Sequence, residues 1–422
     1  MLADAKSTVA RPRTIFALVI VWTAFAVVTA YFFFNTGGGA IDFEGYYHAS
    51  KAIATQDSPY GLREQGLSNH PYFYPPLLAI GLLPLAPLSL AQAAAIWLVL
   101  NFALLLFTLW LVSRYIEDQK LWLLWWVAPV FFTPTLLALV HGQATVLMFA
   151  LVAGMWVAMR HEKRRLAGVL LALALWVKIY PIIFIAYFFW KREWRVVASA
   201  LVGAALLGLF QIIWVGWTIF SAFFTDVLFG LGLEGEPSLS NLNSSVVGFT
   251  SRLFVASPRV QPLIESAALY TISRVAISLL IVGITVLLSS RPAAYGPTPS
   301  RKRDLEFGLI TLGSLLLAST LWESGMVSLL LVYLFPVRDA LRPLNRRVLL
   351  VCALSFVLID SYRLIWPLAR DRTLPALLLS TPFFGAILLW AVTAIQAWFA
   401  SGTKPVSTPS ASAVLPSTSE PV

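Results

Sequence analysis

The chain has one cysteine, four histidines and only 12% charged residues among 422. Each scarcity removes a class of function. A single Cys352, set inside an apolar run, rules out a disulfide framework and any cysteine-based metal cluster. No HExxH, Walker loop, GxSxG or paired-histidine motif occurs, so zinc hydrolysis, P-loop phosphate chemistry and a nucleophile elbow all lack their residues. The three glycines at 37–39 precede no helix-opening Lys-Ser/Thr and read as a hinge. Too little polar surface is present for a soluble domain of this length. The chain is 59% hydrophobic with a mean hydropathy of +0.80, so lipid must act as solvent for most of it. The formal charge of +10 comes from Lys and Arg in short clusters between apolar runs. That pattern marks orientation in a membrane, not a nucleic-acid partner.

Apolar runs predict spans at about 14–34, 90–113, 121–139, 143–160, 165–177, 180–190, 194–217, 266–289, 305–321, 325–337, 348–366 and 374–399. The first is too long for a signal-peptide core and is expected to be a retained span. The run at 76–88, cut by Pro84 and Pro87, reads as an interfacial helix. Residues 165–190 pose a choice, because Lys178 and Pro181 sit mid-run. Splitting them into two short helices that turn at KIYP puts most of the 30 Lys and Arg residues on one side. By the positive-inside rule that side is cytoplasmic, with both termini there. Two short helices then need shielding from lipid by their neighbours or a thinned bilayer.

The resulting expectation is an all-α polytopic protein of the plasma (inner) membrane with about twelve spans, one transmembrane domain over 1–400, and a disordered cytoplasmic tail over 401–422. The two long polar connections, 35–75 and 218–265, fall outside the cell, as do HGQ (141–143), KIYP (178–181), WESG (322–325) and WPLARDR (366–372). Polar chemistry is therefore expected on the extracytoplasmic face. Asp42 opens an amphipathic stretch to Gln56, with Glu44 in its first turn. Two readings stand side by side: a helix N-cap with a dipole-complementing neighbour, or a general base at the membrane surface. Tyr46, Tyr74 and the prolines near them suit an interfacial aromatic wall. Lys178 either snorkels or meets a phosphate. Asn241, Asn243 and Arg252 suit sugar hydroxyls and phosphate oxygens, and equally suit a turn. His141, Gln143, Glu323 and Arg363 complete the polar outer positions. The NSS at 243–245 fits a glycosylation acceptor by accident of sequence.

In order along the chain, DFEGYYHASKAIATQDSPYG, YFYPPLLAIGLLPLAPLSLAQAAAIWLVLN, the GQATVLMF…KIYP…KREWR run, NLNSSVVGFTSRLF and LLASTLWESGMVSLLLVYLFP resemble segments of glycosyltransferase family 87. That family belongs to the GT-C membrane class and includes polyprenyl-phosphate-mannose-dependent mannosyltransferases. The resemblance covers roughly 14–340. It implies a GT-C fold with interfacial helices in a catalytic first loop. It also implies transfer of a sugar, mannose before others, from a polyprenyl phosphate to a lipid or glycan acceptor of the cell envelope, with inversion. Asp42 would be the base, and Lys178 or Arg252 would face the departing phosphate. Glu44, Tyr46, Tyr74, His141, Gln143, Asn241, Asn243, Glu323 and Arg363 would line the substrates. No cofactor or resident metal is implied, and a divalent-ion requirement is left open by the incomplete Asp42–Glu44 donor set. Glu323 stands where the family often has a histidine after the tryptophan, so that residue's role does not carry over. The alternative is a transporter or flippase of lipid-linked sugars, which would place ionisable groups near the bilayer midplane; only Arg274 lies within a predicted span.

Overall fold

A computed structural model describes residues 12–35, 40–231, 242–257, 260–290, 300–341, 344–361, 363–365 and 374–400. The expectations for the 37–39 hinge, Asn241, the 366–372 turn and the 401–422 tail lie outside the described residues.

The chain is an all-α polytopic membrane protein. Its helices are α1 (Pro12–Asn35), α2 (Ile41–Ala54), α3 (Pro76–Gly81), α4 (Leu90–Ser113), α5 (Gln119–Phe131), α6 (Thr133–Val140), α7 (Thr145–Arg160) and α8 (Arg164–Val177). They continue as α9 (Ile183–Trp190), α10 (Trp194–Ala222), α11 (Val246–Phe254), α12 (Ala267–Ser290), α13 (Arg301–Leu316), α14 (Leu329–Leu341), α15 (Arg346–Asp360) and α16 (Thr381–Ala400). The one extended pairing described, Val260–Gln261 beside Leu374–Pro375, is two residues long.

Each stretch predicted as a span contains a helix, although the last begins with the extended Leu374–Pro375 and the helix within 305–321 ends at Leu316. Seven described helices are long and apolar enough to cross a bilayer, or eight if the α5–α6 pair, bent by 52°, is one span. The other four, α7, α8, α9 and α13, have 16, 14, 8 and 16 residues. The bend follows from local chemistry. Pro129 weakens the end of α5, Phe132 turns extended, and Pro134 restarts a helix at its first turn. The break inside 165–190 falls at Lys178, whose backbone is extended (φ −148°, ψ 135°) before a short 3-10 turn at Tyr180–Ile182. Short α8 is shielded as expected: it lies against α10, where Gly168 approaches so closely that a Cβ would sit 2.4 Å from Val196 O and 2.0 Å from Ser199 Oγ.

Helix α13 reads as only half apolar, yet is buried almost from end to end, including Lys302, Arg303, Asp304 and Glu306. Its charges are neutralised by the ends of neighbouring helices. Asp304 takes Arg160 of α7 at 3.1 Å, Arg338 of α14 at 2.5 Å and the indole N–H of Trp156 at 2.8 Å. Glu306 meets Lys191, which follows α9, at 3.0 Å and accepts from the Tyr187 hydroxyl at 3.0 Å. These ends are all ones that the positive-inside reading assigns to the cytoplasm. The turns HGQ and KIYP and the start of α2 gather at the opposite ends of the same helices.

Candidate active site

The first turn of α2 docks onto the last carbonyls of α6. Ala40 N–H donates to Val140 O at 2.7 Å, and the N–H groups of Asp42 and Phe43 donate to His141 O at 3.0 and 3.3 Å. Donors that a helix start leaves unsatisfied are thus paired with acceptors that a helix end leaves unsatisfied. The position before α2 is Ala40 in the left-handed region (φ 56°), without a side-chain cap. The N-cap reading of Asp42 is therefore replaced: its carboxylate is not spent on the backbone and is free to face inward.

The turn that receives α2 depends on glycine. Gly142 has φ +66°, and a Cβ there would lie 2.7 Å from Phe43 Cβ. Trp97 donates its indole N–H to Gly142 O at 2.7 Å and stacks on Phe43 with centroids 5.7 Å apart. This packing fixes where His141 and Gln143 point. Gln143 accepts from the hydroxyls of Tyr46 (3.3 Å) and Tyr74 (3.1 Å), and its amide helps to hold the Asp42 carboxyl down against burial. Tyr46 also donates to Tyr74 at 2.8 Å. Lys178 places its ammonium 5.2 Å over the Tyr74 ring and acts on Asp42 through charge. His141 Nδ1 is 3.9 Å from Asp42 Oδ2, and that Oδ2 is buried with no hydrogen-bond partner among the described residues.

Burial sets the ionisation of this group. It pushes Asp42 up to about 6, against the opposing pull of the Gln143 hydrogen bond and the Lys178 charge. It lowers Lys178 to about 8, with Asp42 opposing, and His141 to about 4, helped by His70. At neutral pH the centre holds a carboxylate, an ammonium and a neutral imidazole. A base and a cation beside it suit removal of a proton and compensation of negative charge nearby.

Glu44 is turned elsewhere. It accepts from Asn69 N–H (3.3 Å) and Asn69 Nδ2 (2.8 Å) and lies 3.7 Å from His70 and 4.0 Å from His48. Its visible work is to tie the first loop to α2, while Asp42 faces the centre.

A second polar centre lies under α11. Arg252, 1% exposed, donates from Nε to Ser380 Oγ at 2.9 Å and from Nη1 to Asn243 O at 2.6 Å. Burial lowers it to about 10, and the charge of buried Glu323 opposes that shift. Asn243 commits its carboxamide to backbone groups: Ser319 O at 2.8 Å, Ser245 N–H at 3.1 Å and Leu321 N–H at 2.9 Å. It braces the turn from which Arg252 works. The segment Glu323–Ser328 packs against α6 and α7, so both centres flank one turn. Arg363 stands apart, half-exposed at the start of α6, bonded to Thr133 Oγ1 and Phe131 O and 3.7 Å from Asp360. About 12 Å of α6 separates it from His141.

Among the predicted residues the structure thus brings Asp42, Tyr46, Tyr74, His141, Gln143 and Lys178 to one place, and Asn243, Arg252 and Glu323 to a second. Sequence reasoning missed Tyr180, whose field reaches Tyr74, and Ser380, which no motif flags. Tyr180 was visible as the aromatic next to Pro181. Among the described residues no group of three or more His, Cys, Asp or Glu side chains is arranged to hold a metal ion.

Two polyprenol-phosphate-mannose-dependent alpha-(1-2)-phosphatidylinositol mannoside mannosyltransferases are similar to this chain. The one from Mycolicibacterium smegmatis is 28% identical over 216 residues, 46% of this chain and 47% of that protein. The one from Mycobacterium tuberculosis is 27% identical over 259 residues, 57% of each. The chain spans about half the length of the curated relatives it matches. The family model described as glycosyltransferase family 87 matches residues 72–322, which include Tyr74, His141, Gln143, Lys178, Asn243 and Arg252 and exclude Asp42. With more than half of its length matched, the chain belongs to glycosyltransferase family 87.

Proposed function

We propose that the chain is an inverting glycosyltransferase of the plasma membrane that moves mannose from a polyprenyl phosphate to a lipid-borne acceptor on the extracytoplasmic side. The observation that carries this reading is Asp42 Oδ2, a buried carboxylate oxygen with no hydrogen-bond partner among the described residues, within the field of the Lys178 charge. The names of the two relatives support the donor class and point to a phosphatidylinositol mannoside as the acceptor class.

In the proposed step an acceptor hydroxyl enters beside Asp42 Oδ2. As its oxygen attacks the anomeric carbon, the proton passes to Oδ2 and the bond from that carbon to the phosphate oxygen breaks. The electron pair leaves with the polyprenyl phosphate. Lys178 compensates the charge that grows on the phosphate, an interaction stronger in the transition state than in the ground state. Tyr74 holds the Lys178 ammonium over its ring. The polar clusters described lie at helix ends, which supports a transferase over an alternating-access carrier.

The test is transfer of radiolabel from polyprenyl-phosphate mannose into phosphatidylinositol mannoside by purified protein in liposomes, beside Asp42→Asn. Asn keeps the shape and cannot take the proton, so the expected loss is about a hundredfold or more. Equal transfer by both proteins removes Asp42 as the base. A wild-type protein that takes label from no polyprenyl-phosphate sugar removes the donor class.

A further inference from the structure

We infer that Glu44 and Gln211 are positioning residues: they hold the two ends of the stretch 69–77, and with it the Tyr74 ring on which the Lys178 ammonium rests. This inference rests on the proposed function, in which Lys178 compensates the departing phosphate. It changes the expectation for Glu44 from lining substrate to setting another residue's place. It also gives a role to Gln211, a polar residue buried within an apolar helix.

The first end is fixed on α2. Glu44 accepts from the backbone N–H and the side-chain amide of Asn69, at 3.3 and 2.8 Å. Beside it Gly45 lets the stretch lie close against the helix: a Cβ there would be 3.2 Å from His70 O and 3.1 Å from Pro71 O. The other end is fixed inside the protein. Pro75 and Pro76 bring no N–H, so Leu77 carries the first donor that the start of α3 leaves unsatisfied. Gln211 of α10 takes it, with Oε1 2.9 Å from Leu77 N, while its Nε2 donates to Leu207 O of its own helix at 3.1 Å. A carboxamide buried in an apolar helix costs free energy unless it is paired, and the start of α3 is what Gln211 pairs with.

What lies between the ends is stiff. Pro71, Pro75 and Pro76 fix φ, and each keeps the residue before it out of the helical region, His70 and Tyr74 among them. Tyr72 closes the corner into α3: its hydroxyl donates to Pro75 O at 2.6 Å and accepts from Ala79 N–H at 3.1 Å. Tyr60 donates to Tyr74 O at 3.1 Å. The Tyr74 ring stands edge-to-face with Tyr46, centroids 4.9 Å apart, and the Lys178 ammonium lies 5.2 Å from its centre. A cation held by a ring face follows that ring, since the attraction is to the whole face and not along one bond. A misplacement of about 1 Å at a reacting centre costs about a hundredfold in rate. A stiff stretch fixed at both ends therefore passes the positions of Asn69 and Leu77 on to Lys178.

The test reads Lys178 and the chemistry separately, on the full-length protein in liposomes. Glu44→Ala and Gln211→Met each release one end, while Glu44→Gln keeps an acceptor for Asn69. Acylation of Lys178 by an amine-reactive ester, followed by mass spectrometry, should quicken about tenfold in the two releasing variants and stay within about twofold of wild type in Glu44→Gln. In transfer from polyprenyl-phosphate mannose, each releasing variant should lower kcat about tenfold and leave the KM of the acceptor within about twofold. In a Tyr74→Leu background the same two changes should cost no more than about twofold further, because their effect passes through the ring. A merely structural role would cost the same in both backgrounds. Unaltered acylation, a tenfold loss that persists without the ring, or a Glu44→Gln variant as impaired as Glu44→Ala overturns the assignment. Wild-type protein that transfers no sugar fails the proposed function instead, and the acylation rates still decide whether the two ends hold Lys178 in place.

Discussion

Asp42 and Lys178 are adjusted by the same burial in opposite directions, and that pairing has a pH consequence. In the proposed step Asp42, near 6, can take the proton only when ionised, so turnover should fall about tenfold per unit below that value. In the same proposed step Lys178, near 8, would compensate the phosphate only when protonated, so turnover should also fall above it. A bell-shaped profile with limbs near 6 and 8 is expected. Lys178→Arg, charged throughout this range, should lose the alkaline limb and keep the acid one. An unaltered alkaline limb in that variant would move its origin to another group. At this scale the sequence revealed residue types and missed their division of labour. Asp42 and Glu44 look equivalent as two carboxylates in one helical turn. They diverge because α2 is pinned by His141 O on one side and by Asn69 on the other, contacts 99 and 25 residues away in the chain that no local pattern encodes.

Short helices make the site possible, because each one stops at the depth where its polar turn is needed. The break at Lys178 was legible in the sequence, since leaving 165–190 unbroken inverts the charge bias of everything after it. The bend between α5 and α6 was half legible, through Pro129 and Pro134. The burial of α13 was not, for a helix that begins RKRD carries no local sign that Arg160, Lys191 and Arg338 wait around it. The α8–α10 contact supplies the test at this scale. Gly168 faces Val196 O and Ala200 N, backbone atoms that cannot swing aside as a side chain would. Gly168→Leu should push α8 off α10 at a cost of about 3 kcal/mol and carry Lys178 away from Asp42. The expected readout is a lowered Tm in detergent together with lost transfer, and a variant that melts like wild type would show that the two helices have room to separate.

The whole molecule is polar at two ends for different reasons. At one end charges are neutralised and buried, as Asp304 is by Arg160, Arg338 and Trp156. Removing that carboxylate leaves Arg160 without its ion-pair partner, while Arg338 keeps Asp339 at 3.0 Å, so Asp304→Ala should cost about 3 kcal/mol, measurable as a drop in Tm without a change in the pH limbs of what remains folded. At the other end charges are held apart and incompletely paired, as Asp42 Oδ2 is, which suits the proposed chemistry. The positive-inside rule says which end faces the cytoplasm, and the scarcity of cysteine makes that testable. Cys352 is buried, so a thiol introduced at an exposed site reports alone. Gln65 lies exposed in the first loop and Lys163 in the turn between α7 and α8. An impermeant maleimide added to intact cells should modify Gln65→Cys at once and Lys163→Cys only after the membrane is opened. The reverse pattern would place Asp42 on the cytoplasmic side, where nucleotide sugars are made, and a donor carried to the outer face on a polyprenyl chain would lose its reason.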